Sequence, residues 1–163
     1  MQESLNDKVV FVTGSARRVG RAIALGFARE GANVVIHYHS SSSSDAAKSA
    51  ADEAKDYGVE TLIVQGDQSN LDDVTRIFEM IESHYGKLDV MVNSAANFMK
   101  TPFLDISFEE WQAVLGVNLT GPFLCTQQAG RLMLKSGGGA IINISDVGGL
   151  RPWKTRPHHS VAK

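Results

Sequence analysis

The stretch Thr13-Gly14-Ser15-Ala16-Arg17-Arg18-Val19-Gly20 sets glycines and paired arginines directly after an apolar run, Lys8-Val-Val-Phe-Val-Thr13. A turn of this kind between a strand and a helix suits a pyrophosphate. Glycines let the backbone come close to the anion, and the first N–H groups of the helix point at it. The middle glycine of the usual dinucleotide fingerprint is absent and Arg18 stands in its place, so the turn alone also fits a simple loop. The end of the second apolar run, Asn33-Val-Val-Ile-His-Tyr38, bears on the choice of nucleotide. A site for NAD keeps a carboxylate there to accept from the ribose 2′-hydroxyl. Here the nearest acid after Ile36 is Asp45, beyond the run Ser40–Ser44. His39, Ser40 and Ser41, with Arg17 from the glycine turn, can instead donate hydrogen bonds to a 2′-phosphate. The other role open to the serines is that of a solvated linker. The residue types point to NADP.

Elements of alternating type must position these groups. Apolar runs buried on both faces alternate with helical periodicity, the pattern of a parallel α/β sheet. The spacing predicts strands at 8–13, 33–38, 61–64, 88–92 and 140–144, and a doubly wound Rossmann sheet in the order 3-2-1-4-5. Between them lie an amphipathic helix through Val19, Ala22, Ile23 and Phe27 stopped by Gly31, an alanine-faced helix from Asp45 to Tyr57, and a helix striped by Leu71, Val74, Ile77, Phe78 and Ile81 and closed by Gly86. Ser69 with Asp72, and Ser107 with Glu110, have the spacing of capping boxes. The long pattern from Phe108 to Lys135 contains Gly121-Pro122, which predicts a kink there. Asp146 to His158 reads as an irregular loop.

Composition narrows the classes. Sixteen Lys and Arg against eighteen Asp and Glu give a net charge of -2, without the basic excess of nucleic-acid binders. The single cysteine, Cys125, cannot form an internal disulfide and fits a reducing compartment. The start MQESLNDKVVFVTG lacks a secretory signal, and no apolar run reaches the roughly 20 residues that span a bilayer. A cytoplasmic protein with a small-molecule substrate is expected, and no nucleic-acid or membrane partner.

Taken in order, Thr13-Gly14 with Gly20, Asp67 after strand three, Asn93-Ser94-Ala95-Ala96 after strand four, Asn118 in the long helix and Ser145-Asp146 after strand five resemble the short-chain dehydrogenase/reductase family. The resemblance covers essentially the whole chain and implies hydride transfer between a nicotinamide cofactor and a carbonyl or imine. Arg18, the His37-Tyr38-His39-Ser40 stretch and Asp146 further resemble the pteridine reductases, which implies a pterin-like C=N substrate; 3-oxoacyl-carrier-protein reductases share the scaffold. The cofactor residues implied are Gly14, Arg17, Arg18, Val19, Gly20, His39, Ser40, Ser41, Asp67, Gln68, Asn93, Ser94, Ala95 and Lys163. The catalytic ones are Asn118, Asp146, His159 and Lys163, and no metal is implied. Asp67 would accept from the adenine amino group or simply form a turn. Asn93 would contact cofactor or tie strand four to its neighbour. Asn118 would hold a water in a proton relay. Asp146 would protonate a substrate nitrogen, with Ser145 its alternative if the register differs by one.

The resemblance breaks at the proton donor. Family members carry a tyrosine four residues before the lysine, on the same helix face. Lys163 fits the lysine, but His159 stands at the tyrosine position. An imidazole is shorter than a phenol, so the 163-residue chain is expected to show no appreciable turnover, and a non-catalytic nucleotide-binding remnant or truncated subunit is the alternative. Relatives run to about 250 residues. The reading is therefore one Rossmann domain over 1–163, C-terminally incomplete, with strand five left as an apolar edge and a homo-oligomer expected of a full-length form. NADPH should bind more tightly than NADH in a fluorescence titration, and Arg17→Ala should narrow the gap; equal affinities would remove the 2′-phosphate assignment.

Overall fold

The computed structural model describes residues 4–163. Residues 1–3, part of the N-terminal stretch used in the localisation reading, lie outside the described residues. The strands β1 (Val9–Val12), β2 (Asn33–Tyr38), β3 (Thr61–Gln65), β4 (Val90–Asn93) and β5 (Ala140–Asn143) form one parallel sheet in the order β3-β2-β1-β4-β5, as expected.

The alternation within β1 divides the core. Val10 and Val12 face α1 (Arg18–Arg29) and α2 (Ser44–Lys55), whose buried residues Ala24, Ala28, Ala47, Ala50, Ala51 and Ala54 let both helices lie close to the sheet. Val9 and Phe11 face α3 (Leu71–Tyr85) and α5 (Gly121–Lys135), where Val74, Ile77, Ile81, Leu132 and Met133 pack around them. Cys125 is buried in this second layer, and burial pushes its thiol up to about 12. Helices on both faces make the sheet doubly wound. β5 pairs only with β4 and is exposed at every position. No helix among the described residues is long and apolar enough to cross a membrane.

Several local expectations change. Asn70, not Ser69, caps α3: its side chain accepts from the Asp72 and Asp73 N–H groups, while Ser69 donates to Asp67. Ser107 does cap α4 (Phe108–Leu115). The irregularity in the long helical stretch is not a proline kink but a π turn over Gly116–Thr120, just before Gly121-Pro122, where proline needs no N–H partner at the start of α5. The serine run is a 3-10 turn, Ser41–Ser43, that feeds directly into α2 rather than an open loop. The segment read as irregular contains a 3-10 turn at Val147–Gly149, and the short helix α6 (Pro157–Ala162) already includes His158.

The approach of α1 to β1 depends on Gly20, where an added Cβ would stand 2.5 Å from the Gly14 carbonyl oxygen. Gly26, in the same helix, has nothing within 4 Å. In urea denaturation, Gly20→Ala should cost about 1–3 kcal/mol by overpacking against backbone. Gly26→Ala should be neutral or stabilising by up to about 1 kcal/mol.

Candidate active site

A cleft of about 640 Å³ opens at the C-terminal ends of the strands, the usual place for a ligand in an open α/β sheet. Gly14, Arg17, Arg18, Val19, Gly20, His39, Asp67, Gln68, Ser94, Ala95, Asp146, His159 and Lys163, all expected, line it. Ser40, Ser41, Asn93 and Asn118 do not. His37, Asn97, Phe98, Val117 and Ile144 line it without having been singled out as site residues.

The glycine turn is built by close approaches. Gly14 has φ 67°, and a Cβ there would meet Ala95 at 3.0 Å. Thr13 Oγ1 accepts from the Ser94 and Ala95 N–H groups at 3.0 Å each, which locks the end of β4 against the turn. Arg18 has φ 54°, the left-handed region that glycine would occupy without strain. An arginine there carries a backbone cost of about 1–2 kcal/mol, and its side chain faces the cleft. Arg17 donates to the Ser42 carbonyl at 2.9 Å, holding the serine turn beside the glycine turn. No carboxylate stands at the end of β2. The tight backbone at Gly14 and Gly20, with Arg17, Arg18 and His39 alongside, fits a dinucleotide.

His37 is the support behind that turn. Its ring is buried, with Nδ1 accepting from the Gly14 N–H and Nε2 donating to the Gly66 carbonyl, both at 3.0 Å. That pairing requires a neutral ring, and burial pushes its pKa down to about 4. Asp67 Oδ1 accepts from the backbone and hydroxyl of Ser69, so it forms a turn as well as lining the cleft. Gln68 donates to Val117 O at 2.7 Å and to Ala95 O at 3.3 Å, bracing the π turn against the end of β4. Asn93 donates to Asn143 at 2.8 Å and to Thr126 at 3.1 Å. It therefore ties β4 to β5 and α5 from a smaller adjoining cavity.

The acid–base residues converge on α6. His159 Nε2 lies 2.6 Å from Asp146 Oδ2, and its Nδ1 lies 3.3 Å from Asn97 O and 3.4 Å from Asn118 Nδ2. Asn118, within the π turn, exchanges hydrogen bonds with Asn97: it accepts from the Asn97 N–H and donates to the Asn97 carbonyl, both at 3.0 Å. It thus sits behind His159. Burial raises the Asp146 carboxyl, but hydrogen bonds from His159 and the Gly148 N–H, with the charges of His159 and Lys163, outweigh it and hold it below the usual carboxylate range. Lys163 Nζ donates to Ile144 O at 3.0 Å, and burial lowers its pKa. His158, fully buried, pairs through Nε2 with Glu110 at 3.0 Å. Adjacent imidazoles thereby fasten α6 to α4 on one side and to Asp146 on the other. Only the doubled histidine signals that arrangement in the sequence.

The family model described as short chain dehydrogenase matches residues 8–163. The chain is 38% identical over 160 residues to a 3-oxoacyl-[acyl-carrier-protein] reductase of Synechocystis sp. (strain ATCC 27184 / PCC 6803 / Kazusa), covering 98% of this chain and 64% of that protein. It is 38% identical over 157 residues to the uncharacterized oxidoreductase YohF of Escherichia coli (strain K12), covering 96% and 61%. The crystal structure of acetoin dehydrogenase YohF from Salmonella typhimurium superposes with a TM-score of 0.90 at 34% identity, covering 96% of this chain and 61% of that one. The chain spans less than two thirds of the length of these relatives.

The neutral His37 has a measurable consequence. An unfolded histidine titrates near 6.5, so between about 6.5 and about 4 the unfolded chain binds the extra proton and stability rises with pH. The contribution is fully present above about 6.5 and is lost as pH falls toward about 4, on the order of 3 kcal/mol. Urea denaturation across that window should show the loss, and His37→Gln should flatten it; an unchanged slope would remove His37 as its source.

Proposed function

This chain belongs to the short-chain dehydrogenase family, and from that premise we propose that it is an NADP-linked oxidoreductase acting on a carbonyl or pterin-like C=N group of a small molecule. The observation that carries the reading is the cleft itself. It sets Arg17, Arg18 and His39 beside a glycine turn that leaves no room for side chains, and it sets Asp146, His159 and Lys163 at its other end. When bound, the nicotinamide supplies the hydride for the substrate carbon. The names of the relatives, a 3-oxoacyl reductase and an acetoin dehydrogenase, favour a carbonyl over a C=N bond. The lone buried cysteine fits a cytoplasmic setting.

The protein's own part is to hold the nucleotide and deliver a proton. Glycine-turn N–H groups and Arg18 would hold the pyrophosphate, and Arg17 and His39 would hold the 2′-phosphate. Lys163, fixed on the Ile144 carbonyl at 3.0 Å, would hold the nicotinamide ribose. His159 has a side chain only 2% exposed, against 32% for Asp146. Contact with substrate therefore falls to Asp146, which closes the gap left by the shorter imidazole. Its depressed pKa makes it a poor acid alone, and the proton it passes to the substrate oxygen or nitrogen is replaced from His159 Nε2.

A second reading, nucleotide binding without turnover, draws on the same contact, since His159 Nε2 is already engaged by Asp146. Loss of NADPH absorbance with acetoin, acetoacetyl thioesters or a dihydropterin separates the readings. Because Asp146 rather than the shorter imidazole is exposed to the cleft, the expected result, in place of the inactivity inferred from His159 alone, is substrate-dependent oxidation that Asp146→Asn slows by about 10²-fold or more. Saturable NADPH binding with no substrate-dependent oxidation establishes the second reading instead.

A further inference from the structure

A cation packed on an aromatic ring of the cleft wall has no ion-pair partner among the described residues. Arg156 lies with its guanidinium carbon 4.1 Å from the centre of the Phe98 ring and 5.9 Å from that of Trp153. It takes part in no ion pair among the described residues, and its Nε is buried without a partner. A buried donor left unmade costs about 1–3 kcal/mol. The position adds a second cost, because Arg156 stands at the N-terminus of α6, where a positive charge is disfavoured. The aromatic faces nevertheless hold its charged plane in one orientation, so its donors are preorganised.

The ring beneath it leads to the chemistry. Phe98 lines the cleft and meets His159 edge-on, with centroids 4.6 Å apart, and Trp153 lies parallel to the His159 ring at 6.3 Å. Arg156 is thus one aromatic ring away from the acid–base pair. Arg151 and Lys154 are close to Arg156 in sequence and Lys100 is two residues from Phe98, while the carboxylates beside α6, Glu110 and Asp146, are already engaged by His158 and His159. In a chain whose net charge is -2, this segment is locally rich in cations.

We infer that Arg156 is a specificity-determining residue that recognises an anionic group, a carboxylate or a phosphate, on the substrate a few bonds from the reacting carbonyl. This rests on the oxidoreductase reading for what happens at that carbonyl, but not for the binding of the anion. A guanidinium offers a fork of donors that matches either oxyanion in a bidentate manner, and Phe98 and Trp153 flank the apolar carbon between the anion and the carbonyl. The natural substrate class is a short keto acid or a phosphorylated ketone.

Calorimetric titration of the whole chain, with and without NADPH, tests this on acetoacetate, dihydroxyacetone phosphate and uncharged methyl acetoacetate. At least one anion should bind about tenfold or more tightly than the ester, and which one does assigns carboxylate or phosphate. Arg156→Gln should erase that preference while leaving the NADPH affinity unchanged. Arg156→Lys should restore part of it, and Lys48→Gln on α2 should do nothing. If Arg156→Gln fails to fold, the ester-to-anion ratio of the unmodified chain and its partial reduction in Arg156→Lys still decide. Equal binding of ester and both anions, or an anion preference that survives Arg156→Gln, would overturn the inference. Absence of NADPH binding would overturn the oxidoreductase reading alone, since the probes are also titrated without it.

Discussion

A neutral imidazole held between two backbone groups sets the geometry on which the cleft depends. His37 receives the Gly14 N–H on one nitrogen and gives its own proton to the Gly66 carbonyl with the other. Only one tautomer satisfies both, and a second proton would set two N–H groups against each other at Gly14. With Gly14 fixed, its Cα can sit against Ala95, Gly20 can sit against the Gly14 carbonyl, and the first turn of α1 can reach the end of β1. Thr13 and Gln68 extend the same bracing to β4 and the π turn. The polar framework is therefore continuous from the second strand to the helix that carries Asn118.

The order of the strands and the division of the core were legible in the sequence because each strand is a short apolar run and each crossover helix carries a stripe at helical spacing. Local details were less so. Ser69 and Asn70 are both competent caps, and nothing nearby says that Asp67 takes the serine hydroxyl and leaves the asparagine to α3. Gly121-Pro122 announced an irregularity correctly but not its kind. The π turn places Asn118 where it can exchange hydrogen bonds with Asn97, a partner 21 residues away that periodicity does not reveal.

At the site, residue type and order were enough to name the glycine turn, Asp146, His159 and Lys163, and the structure brings these into one cleft. What residue types could not give is direction. The reach of an imidazole measured against a phenol says little until it is seen that His159 turns to Asp146 and that Asp146 faces outward. His37 reads as the polar tail of a strand, and Phe98 as one more apolar loop residue. Both acquire their roles only from segments far away in the chain. Ser40 precedes and Ser41 begins a 3-10 turn, and neither lines the cleft, whereas Arg17 and His39 do.

Cys125 gives the molecule a built-in clock for its own opening. The thiol lies in the layer that α3 and α5 press against the sheet, and burial keeps it protonated far above neutrality. A thiol reacts as the thiolate, so alkylating reagents find nothing to attack while the layer is closed. Labelling therefore requires an opening of that layer, and its rate reports the population of the opened form. Because α5 continues directly from the π turn that carries Asn118, the same rate reports how much of the time the floor beneath His159 remains assembled.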